Sequence, residues 1–356
     1  MTTVGACPEC LARSWLLARL APHLDVVRTR VPAVLDLGDD DLIHEVAGAD
    51  RAAVRAELAA FDAEAYLDAC VAAGLELICR CHAAYPAPLL DLSAEPAVLH
   101  VAGSVARLVE LVAHRPVAIV GARRASPYAL ETARSLAHGI ASRATVVSGM
   151  AAGVDSAAHQ GALDARTGGT IAVLPSAPQR PYPVSALGLH RRIVGHGGVA
   201  VSELGPEVAA RRWMFPARNR LIAALSAMTV VVAARQGSGA LTTARMARAI
   251  QRPVGAVPGQ IMSPLAWGPH QLIREGARLV AGGSDLGLPE WNARQEIPKG
   301  LRRLFEALAD GLDLPDAFAA AGLDAQQGLA QLAELELAGH VHRRRGGEFS
   351  VGRWDP

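Results

Sequence analysis

VAIVGARRASPYA, residues 117–129, decides the fold. Val117–Val120 is a short apolar run of the kind that forms a buried strand. Gly121 ends it. Ser126-Pro127 then reads as the N-cap and first position of a helix running to about Ser142. A strand, a small-residue loop and a helix in that order form the opening of a βαβ unit.

Working outward, the same alternation recurs. ATVVSG (144–149) is the next strand, and a helix spans Asp155 to Ala165. IAVL (171–174) precedes a helix near 184–194 and the strand VAVSEL (199–204). A helix from about Arg218 to Ser226 leads to MTVVVAA (228–234). A helix near 241–250 leads to PVGAV (253–257). This predicts an α/β fold: a Rossmann-like, mostly parallel sheet flanked by helices. Ligands of such sheets bind beyond the carboxyl ends of the strands. The Gly/Ser loops after 121, 148 and 236 fall there.

The flanks read differently. SWLLARLA, DDLIHEVA and EAYLDACVAAG have helical spacing and predict a small helical domain over 1–82, with the sheet domain over 83–283. Residues 284–297 read as a linker. Residues 298–356 give three helices and a basic hairpin, with Gly346-Gly347 at the turn and Arg343–Arg345 on the wing. That order predicts a winged helix.

Charge is distributed unevenly. The 356 residues carry a net charge of +1, yet 208–274 holds nine arginines and no acidic residue. Residues 165–274 hold thirteen arginines against two glutamates, whereas residues 1–91 hold fourteen acids against seven arginines. Local positive charge on a near-neutral chain predicts a polyanionic partner. Lys299 is the single lysine, so phosphate contacts would be arginine forks or backbone amides. Aromatics make up only 4%, leaving few side chains for base stacking. No secretory signal and no membrane-spanning run is evident, which predicts a cytoplasmic protein.

Four motifs point to phosphate. In GARRASPYA (121–129), Gly121 permits close backbone approach and Arg123 supplies charge; an ordinary βα turn reads equally well. In SGMAAGVDSAAHQGAL (148–163), Ser148 and Gly149 leave room for a ligand. Asp155 and His159 there are spaced for an acid–base pair, though Asp155 as an N-cap is the plainer reading. FPARNRLIAALS (215–226) sets Asn219 between Arg218 and Arg220. RQGSGALTTARMARA (235–249) places Ser238 and Gly239 at a helix start, where exposed amides accept phosphate. Neither a G-x-G-x-x-G fingerprint nor a Walker A loop is present.

The five cysteines include two close pairs, Cys7/Cys10 in CPEC and Cys79/Cys81 in CRC. They fit either a structural zinc site of four sulfurs or unrelated small buried residues.

Taken together, YPAPLL (85–90), VAIVGARRAS, VSGMAAGVDSAAHQGAL, FPARNRLIAALS, SGALTTA and PVGAVPGQ resemble the bacterial DNA-processing protein A (DprA, or Smf) family over roughly 85–280. The resemblance implies a homodimer that binds single-stranded DNA and loads the RecA recombinase, without a required cofactor or catalysis, in natural transformation and recombination. It carries DNA contact onto Gly121, Arg123, Ser148, Gly149, Arg218, Asn219, Arg220, Ser238 and Gly239. The chain departs from the family pattern at PSAPQRPYP after strand 171–174 and at Ala233-Ala234, where a Glu-Ala pair is usual. The competing reading is a Rossmann-like enzyme that binds or hydrolyses nucleotides. It needs a pocket acid, and GSGALTTA has none before Glu275. A third reading, duplex recognition by the winged helix, meets an acidic third helix, DAQQGLAQLAELELAG (324–339).

Overall fold

The computed structural model describes residues 5–27, 31–165, 169–286, 300–337, 341–343 and 349–350. It divides into two compact units, Met1–Leu288 and Pro289–Pro356.

The first unit opens with six helices: α1 (Pro8–Arg19), α2 (Ala21–Val26), α3 (Val31–Leu35), α4 (Asp39–Val46), α5 (Arg51–Ala59) and α6 (Ala63–Ala72). Their apolar faces close around Leu16, Leu20, Leu24, Leu42 and Ile43, and the same cluster takes in Trp213 and Met214. Trp213 is fully buried and its indole N–H donates to the Ala21 carbonyl at 3.0 Å. The helical region therefore shares its core with residues 204–217 rather than closing a core of its own.

A nine-stranded sheet follows: β1 (Leu75–Cys79), β2 (Val98–Ala102), β3 (Val117–Gly121), β4 (Val146–Ser148), β5 (Thr170–Val173), β6 (Val199–Ser202), β7 (Met228–Ala233), β8 (Val254–Ala256) and β9 (Arg278–Leu279). Their spatial order is β1-β2-β6-β5-β4-β3-β7-β8-β9. From β6 to β9 all pairings are parallel; β2 joins β6 and β1 joins β2 antiparallel. The sheet thus begins at Leu75, inside the stretch that the sequence assigns to the helical domain.

Seven helices cover the sheet: α7 (Val105–Ala113), α8 (Pro127–Ile140), α9 (Val154–Asp164), α10 (Leu187–Gly195), α11 (Met214–Ala224), α12 (Gly239–Ala249) and α13 (Trp267–Arg274). Alternation along β3 shows how the layers form. Ala118 and Val120 point into one core with α7, α11 and α12; Val117 and Ile119 point into the other with α8 and α9. The Ser126 Oγ accepts the Ala129 N–H at 3.3 Å with Pro127 at the first helical position, as SPYA predicts.

The second unit holds α14 (Arg302–Ala309), α15 (Leu314–Ala321) and α16 (Ala325–Leu337), then β10 (His342–Arg343) paired antiparallel with β11 (Phe349–Ser350). Its core comprises Leu304, Leu308, Phe318, Leu332 and Leu335. The Gly346-Gly347 turn, Arg344 and Arg345 lie outside the described residues, as do 287–297 of the linker. No helix is long and apolar enough to cross a membrane among the described residues.

Candidate nucleic-acid interface

β3 and β7 are neighbours, but the chain leaves them in opposite directions across the sheet. Their following helices therefore diverge and leave a crevice at the carboxyl ends of the strands. A cavity of about 290 Å³ lies there. Gly121 and Arg123 enter it after β3, Asp155 from the start of α9, Phe215, Arg218 and Asn219 from α11, and Ser238 and Gly239 from the start of α12.

Arg218 is the buried charge of this cavity, 5% exposed. Its Nη1 donates to the carbonyls of Gly149 at 2.7 Å and Val173 at 2.5 Å. Nε is buried without a partner among the described residues. Burial lowers its pKa to about 10, opposed by Asp155 and assisted by Arg123, so it remains a cation at neutral pH. Gly149 is required by this packing: a Cβ there would fall 2.0 Å from Nη1.

Asp155 also lines the cavity, so the pocket does contain an acid, contrary to the reading of GSGALTTA. Its Oδ1 accepts the Gly121 N–H at 3.4 Å and its Oδ2 accepts the Gly149 N–H at 3.1 Å. Burial raises its pKa against the pull of Arg218 and these amides. Each oxygen holds one amide, so Asp155 braces the loop after β3 against the loop after β4. Asp155 is not the N-cap of α9. Gly153 is, at φ 87°, where a Cβ would meet the Ala122 carbonyl at 2.3 Å. Nor does Asp155 pair with His159, whose Nδ1 bonds Thr170 Oγ1 at 2.7 Å.

Arg123 is exposed, and its guanidinium lies 4.9 Å from the centroid of the Phe215 ring. It has no carboxylate partner among the described residues. Phe215 in turn meets Tyr182 edge-on at 5.4 Å. The low aromatic content hides this pair, of which Phe215 lines the cavity. A signal was present: Phe215 sits directly ahead of the PARNR run, and Tyr182 lies in PSAPQRPYP.

At α12, Ser238 is the N-cap, its Oγ accepting the Ala240 N–H at 3.4 Å. Asn219 Nδ2 donates to the Gly239 carbonyl at 3.4 Å and ties α11 to α12. Gly239 is exposed with its N–H unpaired among the described residues, at the positive end of an 11-residue helix.

Ser148, Gly149 and Arg220 do not line the cavity, and Gly121 lines it without a free amide. Ser148 is fully buried and its Oγ donates to the Ile119 carbonyl at 2.6 Å. The Gly121 and Gly149 amides are taken by Asp155, and a Cβ at Gly121 would strike Val154 at 2.7 Å. These three residues build the loops. Arg220 faces away: its guanidinium forks onto Glu203 at 2.9 and 2.6 Å, with only 11% and 6% of the two side chains exposed. The basic excess is also partly quenched in space, since Arg248 meets Glu275 at 2.7 Å and Arg252 meets Asp91 at 2.6 Å. Both acids lie outside the acid-free stretch, so Arg248 and Arg252 are paired rather than a free solvated face.

Known proteins resemble the chain in sequence and in fold. The sequence model of DNA recombination-mediator protein A matches residues 76–287. The chain belongs to this family. A DprA winged-helix domain matches residues 293–347. The putative DNA processing protein DprA of Mycobacterium tuberculosis is 40% identical over 275 residues, covering 73% of this chain and 68% of that one. Protein Smf of Escherichia coli is 34% identical over 287 residues, covering 76% and 75%. Among solved structures, DNA processing protein A of Streptococcus pneumoniae superposes with a TM-score of 0.62 at 30% identity, covering 78% of this chain and 95% of that one. DNA processing protein A of Helicobacter pylori, which binds single-stranded DNA, gives a TM-score of 0.50 at 29% identity, covering 56% and 90%. As a member of this family the chain is a DNA-processing recombination mediator.

Proposed function

We propose that the crevice between β3 and β7 holds the backbone of single-stranded DNA. One observation carries this reading: a buried arginine and an exposed one share a cavity whose sole lining carboxylate is already engaged by backbone amides. Phosphate is the counter-charge such a site lacks. Arg123 and Arg218 supply the charge, the Gly239 N–H and the α12 start supply a neutral donor, and Asn219 and Ser238 fix that start in place. Phe215 and Tyr182 offer faces on which bases stack, which needs an unpaired strand.

Membership of the family supports a finer role as the proposal's second part. The protein protects single strands and loads RecA onto them during DNA uptake and recombination in the cytoplasm, acting as a homodimer. No chemistry is performed on the DNA. The N-terminal helices share their core with Trp213 and Met214, and residues 298–356 form a separate winged-helix domain.

Anisotropy of a labelled thymidine oligonucleotide and of its duplex, measured across salt, tests this. The single strand binds tighter at every salt, with a log–log slope of about −0.7 for each phosphate neutralised. The same preparation releases no free base from nucleoside monophosphates and speeds RecA assembly on the strand. Equal affinity for the duplex, or base release, would overturn the reading.

A further inference from the structure

We propose that Cys7, Cys10, Cys79 and Cys81 form a closed structural zinc site that pins α1 to the edge strand β1. Their four sulfurs all lie within 4.8 Å of one another, although the two pairs stand some seventy residues apart in the chain. The Cys7 and Cys10 sulfurs lie 3.8 and 3.7 Å from that of Cys81. Zinc–sulfur bonds of about 2.3 Å in a tetrahedron place sulfurs about 3.8 Å apart, the length that the two edges at Cys81 already have. A disulfide needs sulfurs about 2.05 Å apart in pairs, which a four-way cluster at this spacing does not provide.

The local backbone explains how the cluster forms. Cys7 is the N-cap of α1 and Cys10 lies in its first turn, so one helix start presents both. Cys79 closes β1 and Cys81 follows in the turn, where the Arg80 N–H bonds the Ala97 carbonyl at 3.0 Å and holds the C-x-C segment against the next strand. Four thiolates fill a tetrahedral zinc shell and leave no open position, which makes the site structural rather than catalytic. Arg13 and Arg80 line the recess beside the sulfurs, paired with Asp39 and Glu95, each at 2.7 Å. The same recess of about 540 Å³ reaches Glu203 and Arg220, so the metal fastens α1 beside the buried ion pair.

The fifth cysteine supplies the control. Cys70 is fully buried and outside the cluster. Full-length protein purified under reducing conditions without chelator is analysed for metal by mass spectrometry. About one zinc per chain is expected, falling to background in the Cys7→Ser/Cys81→Ser double variant and unchanged in Cys70→Ser. Stripping wild-type protein of metal lowers its thermal midpoint by several degrees, and zinc restores it. Because the double variant could fail to fold, stripped wild-type protein is also titrated with cobalt, which then shows the intense visible bands of a tetrahedral thiolate site. Zinc at background in wild-type protein together with no cobalt bands on titration would overturn the proposal. So would zinc retained by the folded double variant.

Discussion

Replacing Arg218 with alanine is expected to weaken single-stranded DNA binding roughly 30- to 150-fold, the worth of a charge-assisted contact of about 2–3 kcal/mol. It is also expected to lower the unfolding free energy by about 3 kcal/mol. Both effects have one cause. Removing the guanidinium leaves the Gly149 and Val173 carbonyls without their donor and takes from buried Asp155 its nearby cation. It also removes the buried positive charge of the cavity. Arg218→Lys retains the charge, but a point-like ammonium replaces a planar fork, so binding recovers only in part. Urea unfolding and oligonucleotide anisotropy on the same samples read the two effects. Unchanged affinity in a folded Arg218→Ala protein would remove Arg218 from the interface.

Glu203→Ala should cost about 3–5 kcal/mol of stability, because it strands the Arg220 guanidinium in a site where only 11% of its side chain is exposed. The pair bridges the helical region and the sheet unit. The Glu203 carbonyl accepts from Ser14 of α1 at 3.2 Å, and Arg220 Nε donates to the Ala94 carbonyl at 3.2 Å. Removing both charges together, as Glu203→Met/Arg220→Met, should cost much less than either single change, since no buried charge is then left uncompensated. A double-mutant cycle by urea unfolding measures this coupling. The salt slope of DNA binding should stay the same in whichever variants fold. A reduced slope for the Arg220 variant would return that residue to the DNA contact.

The architecture was legible from β3 to β8 because each strand is a short apolar run, and all but β5 close on a small residue. The capping signal of Ser126-Pro127 located α8 as well. β1 and β2 were not legible. They join the sheet antiparallel at its far edge through β6, about a hundred residues later in the chain, and no local pattern reports that pairing. At the site, the loops could be placed but not the side on which each arginine falls. The sequence reading begins the helix near Arg218, which leaves Arg218 and Arg220 together in a turn. The helix begins at Met214, with Pro216 tolerated in its first turn. Two positions apart on a helix are turned by about 200°, so the two arginines must face opposite ways. One closes the cavity and the other braces the core. Asp155 escaped notice as a pocket acid because its role depends on two amides brought together only by the fold.

The central claim is that the β3–β7 crevice neutralises phosphate, and Arg123 tests it most cleanly, being exposed and paired with no carboxylate among the described residues. The measurement is the log–log salt dependence of oligonucleotide affinity for wild-type and Arg123→Ala protein. The account predicts weaker binding to every sequence at low salt, and a slope shallower by about 0.7, the value for one lost phosphate contact. Identical affinity and identical slope in the two proteins would contradict it.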